Sequence, residues 1–584
     1  MWLLRWLGRI VWRVVSVLLA LVGAVVVGFA IVVGFALFVV PIPGLKREPL
    51  PASMVLTVTL EGKLGSSDDE SLLRTFRNRR LGLEDAVAAL ARAETDANVK
   101  GIVLDVGRAS PGLAEAQELR QAILRLRAAG KPVVAFADGF GEGGLGGGAA
   151  YYLASAADQV WMQPSGDWSW TGLSLEGIFF KETFEKLGLA ADMIQRHEYK
   201  GAMEPLTRTS FSGPVRENLS RAIRNWFDQM VKGAAEGRKI PEATLRTMVS
   251  NAPLSSAEAL QGQLVDKLGY RTDAIEAAGA RDGKAETVTL ERYFRRLGTP
   301  WTRGPTIAVI HGDGEVMRSP DGRGFGMPRF AADRIGKAFE EAVEDPSVVA
   351  IVFRIDSPGG SYVASDTIYD QIKRARKSKP VVASLKDVAA SGGYFVALAA
   401  DRIIASPGTL TGSVGVVGGK VVAAELLKTL GIATDPIEVG EHAGMWRMTR
   451  PFTDEERRRI EAMFDRAYLD FTQKVGEARK LTPAEVDLIA RGRVWTGEDA
   501  LKQKLIDGEG DFLSAIATAK QLAGLAADAM VTVETYPESK APWQLLRDTV
   551  MSGDLPEEIE AVLGGFRRIA ALLRFLPEAG VQLR

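Results

Sequence analysis

Hydrophobic residues follow two alternating periods along this chain, and the whole alternation occurs twice. Short apolar runs of strand length lie at 56–60, 101–106 and 131–137, and again at 307–310, 350–355 and 380–385. Apolar residues at helical spacing lie between and after these runs, at 83–93, 114–128 and 215–236, and again at 335–343, 364–376 and 454–479. Strands that alternate with helices in this way predict an α/β fold built on mainly parallel sheets.

The two halves also match residue by residue. Val99–Ala157 aligns with Val348–Ala400, and further along the chain the offset between equivalent positions is 243 residues. The duplication predicts an N-terminal repeat at 54–297 and a C-terminal repeat at 305–535, separated by a polar join that contains glycine and proline.

The second repeat contains a candidate nucleophile. Ser391 follows a predicted strand, precedes two glycines and opens a helical stretch. Such a turn presents a side chain at the carboxyl edge of a sheet, next to a helix amino terminus that favours negative charge. We therefore predict that Ser391 is the nucleophile. We also predict that Gly359, Gly360 and Gly392 bring backbone N–H groups together as an oxyanion hole.

A serine hydroxyl needs a base to accept its proton, and the repeats differ reciprocally at two positions. Gly148 stands where the second repeat has Ser391, and Ala443 stands where the first repeat has Lys200. A lysine can act as a base once burial lowers its pKa. We therefore predict that Lys200 activates Ser391, and that Ser413, in a third glycine-spaced loop, hydrogen-bonds the base.

Other interpretations of these residues remain open at this point. Lys386 lies five residues before Ser391, although it would have to fold back to reach it. A Ser-His-Asp site through His442 lacks an obvious orienting carboxylate. A lone lysine is more often a solvated surface residue, and a Ser-Gly-Gly sequence at a helix start is more often a cap.

The amino-terminal 45 residues predict a membrane anchor. Three arginines precede Val14–Val40, a run of 27 residues without a charge, which is long enough to cross a bilayer as a helix. The run ends in Pro41-Ile42-Pro43-Gly44 rather than in a small-residue cleavage segment, so we expect an uncleaved anchor. The excess of positive charge before it places the amino end in the cytosol and the rest of the chain outside the inner membrane.

Composition adds mainly exclusions. The 584 residues carry a formal net charge of -1, without the basic excess that a nucleic-acid partner requires. The chain has no cysteine, which excludes disulfides, thiolate nucleophiles and cysteine zinc sites. We predict neither a metal nor a cofactor.

Several motifs together resemble one known family. They are Asp-Ser-Pro-Gly-Gly at 356–360, Ala-Ser-Gly-Gly-Tyr at 390–394, Thr-Gly-Ser-Val-Gly-Val at 411–416, and Tyr199-Lys200 with a following Glu-Pro. With the anchor and the duplication, they resemble the signal peptide peptidases A of the long, duplicated bacterial form, which are serine–lysine peptidases of the Clp/crotonase superfamily. The resemblance implies Ser391 as nucleophile, Lys200 as general base and acid, and Ser413 as the residue that holds the amine. It further implies a membrane-anchored homotetramer that cuts the hydrophobic remnants of cleaved signal peptides.

Two other classes of function are compatible with the sequence, and the roles of two segments are not assigned by it. A crotonase-like acyl-CoA enzyme would use a similar oxyanion turn but acidic side chains, and a non-catalytic membrane scaffold would need neither. The glycine-rich loop at 139–148 departs from the second repeat, which is consistent with a relaxed former site. The tail at 541–584 includes a helical pattern at 559–576 that suits either a membrane surface or a neighbouring subunit.

Overall fold

Each half of the chain contributes its own parallel sheet in the computed structural model. The structure describes residues 49–62, 64, 81–142, 147–279, 285–319 and 330–537. The predicted anchor, the tail after 541 and the centre of the glycine-rich loop lie outside these ranges. Within them, no helix has the length and apolar character that crossing a membrane requires.

The elements of the first repeat, in chain order, are β1 (Met54–Gly62), α1 (Leu83–Thr95), β2 (Val99–Ala109), α2 (Leu113–Ala128), β3 (Val133–Ala137), α3 (Gly148–Ala154), β4 (Gln159–Met162), β5 (Asp167–Trp168), α4 (Lys181–Lys186), β6 (Ala190–Arg196), α5 (Glu204–Thr207), α6 (Gly213–Arg238), α7 (Glu242–Asn251), β7 (Leu254–Ser255), α8 (Ser256–Gln261), β8 (Lys267–Leu268), α9 (Arg271–Gly279), β9 (Glu286–Thr289) and α10 (Leu290–Leu297).

The elements of the second repeat are β10 (Thr306–Asp313), β11 (Val316–Met317), β12 (Phe330–Ala331), α11 (Ala332–Glu344), β13 (Val348–Ser357), α12 (Tyr362–Ala375), β14 (Val381–Ala390), α13 (Gly392–Ala397), β15 (Arg402–Ala405), β16 (Leu410–Gly412), β17 (Val416–Val422), α14 (Ala424–Thr429), α15 (Asp454–Arg479), α16 (Pro483–Ile489), β18 (Val494–Thr496), α17 (Gly497–Lys502), β19 (Gly508–Glu509), α18 (Phe512–Leu522) and β20 (Thr532–Tyr536).

The strand order is the same in both sheets. It runs β8-β4-β3-β2-β1-β9 in the first repeat, and β19-β15-β14-β13-β10-β20 in the second. All neighbours on these two paths pair in parallel, as the alternation of strands and helices predicts. The mainly parallel α/β architecture is therefore confirmed.

The second sheet differs from the first by a branch at β14. The first half of this strand pairs with β15, and its last three residues pair with β16, which in turn pairs with β18 in antiparallel order. The sequence predicted a strand only to Leu385, whereas the strand continues to Ala390. The extension carries the chain directly to Ser391.

The two repeats join through a strand pair that periodicity did not predict. Strand β6 of the first repeat pairs with β17 of the second in antiparallel order, from Arg196 opposite Val416 to Ala190 opposite Val422. A buried ionic cluster adds a second junction, where Arg354 of the second repeat forms ion pairs with Glu84 and Glu118 of the first. Residues of both repeats can therefore contribute to one site.

Candidate active site

Ser391 occupies a strained turn between β14 and α13. Its backbone has φ 53° and ψ -118°, in a region that residues other than glycine rarely adopt. Its N–H donates to the carbonyl of Gly412 at 2.9 Å, which ties the turn to the end of β16. Strain of this kind persists where the surrounding structure enforces it, and it clusters at active sites. Position and strain both suit a nucleophile.

Lys200 lies four residues after β6 and points at the second repeat. Its amine donates to the carbonyl oxygen and to the hydroxyl of Ser413, each at 2.8 Å. Only 5% of the residue is exposed. Burial lowers the pKa of Lys200 to about 7, because the charged ammonium form loses its hydration. At neutral pH a large fraction of this amine is unprotonated.

The β6–β17 pair brings the amine to the loop of Ser413, which follows β16. Since Arg196 and Val416 are paired, Lys200 lies beside the turn that precedes β17. Gly412 accepts the Ser391 amide and the next residue, Ser413, accepts the Lys200 amine. Both hydrogen-bond acceptors of the amine among the described residues belong to Ser413, so the structure shows no hydrogen bond from Lys200 to the Ser391 hydroxyl. Catalytic hydrogen bonds often tighten only when substrate is bound.

Two of the three predicted oxyanion-hole glycines offer amides near Ser391. The amide nitrogen of Gly360 lies close to Gly392, 3.2 Å from the position that a Cβ on Gly392 would take. Gly392 is the first residue of α13, so its own N–H has no acceptor within the helix. The amide of Gly359 instead donates to the Ser357 hydroxyl at 3.1 Å. Gly359 has φ 106° and packs closely on Ser391, since an added Cβ would lie 2.6 Å from the serine Cβ.

Neither alternative base has the required geometry or charge. Lys386 is buried between Glu84 and Asp313, at 3.6 Å and 3.7 Å. Burial acts to lower the pKa of Lys386, but these two carboxylates outweigh it and raise the pKa well above its usual range, so the amine stays protonated. His442 lies beside Glu441 in a largely exposed segment, and no described hydrogen bond links it to Ser391.

In the first repeat, aromatic side chains fill the position of the second repeat's site. The offset of 243 places Trp170 at the position of Ser413 and Gly148 at the position of Ser391. A Cβ on Gly148 would lie 2.7 Å from the Trp170 indole nitrogen. Trp168 and Trp170 are fully buried and pack with rings 6.0 Å apart. This half of the chain therefore lacks both the hydroxyl and the space for a second site.

Two features of the site escaped the sequence analysis. The Ser357 hydroxyl, which accepts the Gly359 amide, lies in the Asp-Ser-Pro-Gly-Gly motif, but no sequence pattern indicates this role. Trp170 could have been found, because the offset that pairs Gly148 with Ser391 also pairs Trp170 with Ser413.

Comparison with known proteins agrees with this geometry. The sequence model of peptidase family S49 matches residues 125–284 and 373–526, one stretch in each repeat. The chain belongs to peptidase family S49. It is 33% identical over 502 residues to Protease 4 of Salmonella typhi, across 82% of this chain and 78% of the relative.

Two further S49-like relatives cover most of the chain. Protease 4 of Haemophilus influenzae is 31% identical over 539 residues, across 85% of this chain and 84% of its own length. The chloroplastic serine protease SPPA of Arabidopsis thaliana is 30% identical over 490 residues, across 82% and 70% respectively. This S49 protein is a serine peptidase, similar along most of its length to the duplicated signal peptide peptidase A form.

Proposed function

We propose that this serine peptidase is a membrane-anchored endopeptidase that cuts hydrophobic peptides, chiefly the remnants of cleaved signal peptides, with a Ser391–Lys200 dyad. One observation carries the mechanism: a buried lysine amine of the first repeat is bonded to Ser413, whose neighbour Gly412 accepts the Ser391 amide. Among the described residues no carboxylate forms an ion pair with this amine, and burial is the cause of its lowered pKa. It can therefore accept a proton.

Acylation follows from these positions. Neutral Lys200 takes the proton of Ser391, and the serine oxygen attacks the carbonyl carbon of the scissile bond. The N–H groups of Gly360 and Gly392 stabilise the negative oxygen of the tetrahedral intermediate. When the C–N bond breaks, the Lys200 ammonium gives its proton to the leaving amine. An ester between Ser391 and the acyl part of the peptide remains.

Deacylation uses the same amine as base and acid, with water in place of the serine hydroxyl as the nucleophile. Lys200, neutral again, takes a proton from water, and the resulting hydroxide attacks the ester carbonyl. The second tetrahedral intermediate collapses, the carboxylic acid product leaves, and Lys200 returns the proton to Ser391. Ser413 keeps the amine oriented through both halves because its hydroxyl and carbonyl accept two of the amine's hydrogens.

The dyad is tested with single variants and a serine-reactive probe. Ser391→Ala and Lys200→Ala are expected to abolish hydrolysis of a synthetic signal peptide while circular dichroism shows a retained fold. Lys379→Met is the matched lysine control: this amine bonds the Ala342 carbonyl at the opposite end of β14, and full activity is expected. A fluorophosphonate should label the parent protein at Ser391. Normal turnover in Ser391→Ala or Lys200→Ala would refute the dyad.

The proposed substrate class rests on the predicted anchor and on the family resemblance. The uncharged run at 14–40 would keep the catalytic body beside the bilayer, where hydrophobic signal-peptide remnants accumulate. The preceding arginines favour an inner-membrane protein with a cytosolic amino end and an extracytoplasmic catalytic body. Cleavage of a signal peptide embedded in liposomes by the full chain, compared with a soluble hydrophilic peptide, tests this assignment. Equal rates on both would contradict it.

A homotetramer is also part of the proposal, and the repeat geometry supports self-association. The offset of 243 relates β17 to residues 173–179 and β6 to residues 433–439, yet neither of these segments forms a strand among the described residues. Both expose apolar side chains, with Ile178 at 67%, Ile437 at 97% and Val439 at 94% exposure. A second copy could pair these segments as β6 and β17 pair within one chain. Such head-to-tail pairing forms a ring if the rotation closes.

The assembly is tested by charge substitution in the exposed segment. Ile437→Asp combined with Val439→Asp is expected to reduce the mass of the detergent-solubilised particle measured by light scattering. Leu488→Asp is the control, because Leu488 is 72% exposed on α16, outside these segments. An unchanged mass for the double variant would contradict assembly through this surface.

A further inference from the structure

One short segment lies between the two halves of the site. Residues 491–494 lead into β18 and bond to both sides. The Tyr199 amide donates to the Arg491 carbonyl at 3.2 Å, and the Ser413 amide donates to the Arg493 carbonyl at 2.7 Å. The segment therefore bonds to the neighbour of Lys200 and to the residue that orients the Lys200 amine.

The fit of this segment against the lysine is tight. At Gly492, with φ 89°, an added Cβ would lie 2.4 Å from the Lys200 backbone nitrogen. The Gly492 amide donates to the Val414 carbonyl at 2.7 Å, which fixes the segment against the Ser413 loop. A displacement of the 491–494 segment must therefore move Lys200, Ser413 or both.

Asn218 holds the end of the segment from the first repeat. This residue of α6 is 4% exposed. Its side-chain amide donates to the Val494 carbonyl at 3.0 Å, and its side-chain oxygen accepts the Val494 N–H at 2.8 Å. Arg221, one turn along the same helix, also donates to the Val494 carbonyl, at 3.1 Å. The Val494 carbonyl thus accepts from two side chains, whereas among the described residues the Val494 N–H donates to the side-chain oxygen of Asn218.

We propose that Asn218 is a positioning residue for the dyad, fixing the 491–494 segment so that Ser413 holds the Lys200 amine in place. It touches no reacting atom and acts through Val494 and Arg493. The inference rests on the proposed role of Lys200 as base. It assigns to α6 a part in catalysis in addition to its packing between the repeats.

The expected effect of Asn218→Ala follows from the two bonds it removes. The Val494 N–H loses its acceptor, and the end of the 491–494 segment loses its bonds to Asn218, which loosens its packing against Lys200 and the Ser413 loop. A misplacement of about 1 Å can lower a rate by about 10²-fold, so kcat/KM should fall by about that factor, mainly through kcat. Looser packing would also admit water, so the acid limb of the pH–rate profile should shift to higher pH.

The shift must be distinguished from other titrations near the lysine. The ionisable side chains on the elements around it are His197, Glu198, Tyr199, Arg221, Arg491 and Arg493. Asn218→Ala replaces none of these side chains, so a shift of the acid limb that Asn225→Ala does not show reports on the lysine environment. A purely structural role for Asn218 would lower stability without moving this limb.

Asn225 provides a matched control on the same face of α6. It lies two turns further along and also bonds the second repeat, donating to the Glu498 carboxylate at 3.0 Å. Asn225→Ala removes a contact between the repeats but none with the 491–494 segment. It should keep the parent pH profile and nearly the parent kcat. Asn218→Leu has nearly the size of asparagine, removes both bonds to Val494 and adds no charge, so it should show the same shift as Asn218→Ala.

The experiment measures kcat, KM and the pH profile of the full chain for these three variants and for Lys200→Ala. An Asn218→Ala protein that behaves like Asn225→Ala, while Lys200→Ala is inactive, would overturn this inference alone. An active Lys200→Ala would overturn the dyad and this inference together. If Asn218→Ala does not fold, the Asn218→Leu profile decides, and an unshifted acid limb would overturn the proposal.

Discussion

Replacing the buried lysine by methionine should abolish activity and stabilise the protein at neutral pH. Methionine has a similar length but carries no charge, so Lys200→Met removes the free energy required to bury an amine. The pKa of Lys200 is about 7 in the folded protein, against an ordinary value of 10.5. Between these two pH values the unfolded chain holds a proton that the folded chain has lost. The free energy of unfolding of the parent protein therefore rises with pH across this window.

The magnitude follows from the size of that pKa difference. At about 1.4 kcal/mol per pH unit, and allowing for partial protonation of the folded state, burial of the amine destabilises the parent protein by about 4 kcal/mol at pH 7. At pH 9 the same calculation leaves about 2 kcal/mol. Against this, the carbonyl and hydroxyl of Ser413 lose their donor, at a cost of about 1–3 kcal/mol. The net gain at pH 7 is then about 1–3 kcal/mol.

Urea denaturation of the full chain at pH 7 and pH 9 is the assay. The advantage of Lys200→Met over the parent protein should shrink by about 2 kcal/mol between these two pH values. Lys379→Met is the control. Burial also lowers the pKa of this half-buried amine, but less than that of Lys200, so a pH dependence of the same sign and smaller size is expected. A stability difference that is the same at both pH values would refute the argument that Lys200 is desolvated, and with it the basis for a neutral amine.

Three further outcomes are expected. The kcat/KM of the parent protein should fall with decreasing pH through the lysine's pKa of about 7, and a flat profile from pH 8 to pH 5.5 would contradict a lysine base. Gly359→Ala should lose peptide hydrolysis, because residue 359 has φ 106° and the added Cβ would lie 2.6 Å from the Ser391 Cβ. Gly431→Ala is the control and should keep this activity, because residue 431 also has a positive φ, 70°, but no atom lies within 4 Å of the added Cβ. Gly148→Ser should gain no second fluorophosphonate label, because Trp170 occupies the space, and labelling in the first repeat would disprove this.

Much of the fold follows from local sequence pattern. The helix predicted at 454–479 has these bounds in the structure, and the predicted strands and helices of both sheets are present within a few residues. The periodicity of apolar residues is a property of neighbouring positions, so it can be recognised without any knowledge of distant contacts. The reciprocal loss at Gly148 and Ala443 likewise requires only an internal alignment, and this alignment is enough to single out Ser391 and Lys200.

The convergence of those residues was decided by tertiary structure. Strand β6 ends at Arg196 and pairs with β17 at Val416, more than 200 residues away, and neither strand has a marked apolar alternation. The same is true of charge. Lys386 and Lys200 are both buried lysines, but Glu84 and Asp313 lie beside Lys386 and keep it protonated, whereas burial lowers the pKa of Lys200 to about 7.

The sequence by itself therefore determined which side chains are available for catalysis and which segments form helices and strands, because both depend on residue identity and on neighbouring positions. Which of them meet, which amide of the glycine turn remains available and which amine loses its charge depend on contacts between distant segments. Those contacts set solvation and hydrogen bonding, and these two quantities decide reactivity.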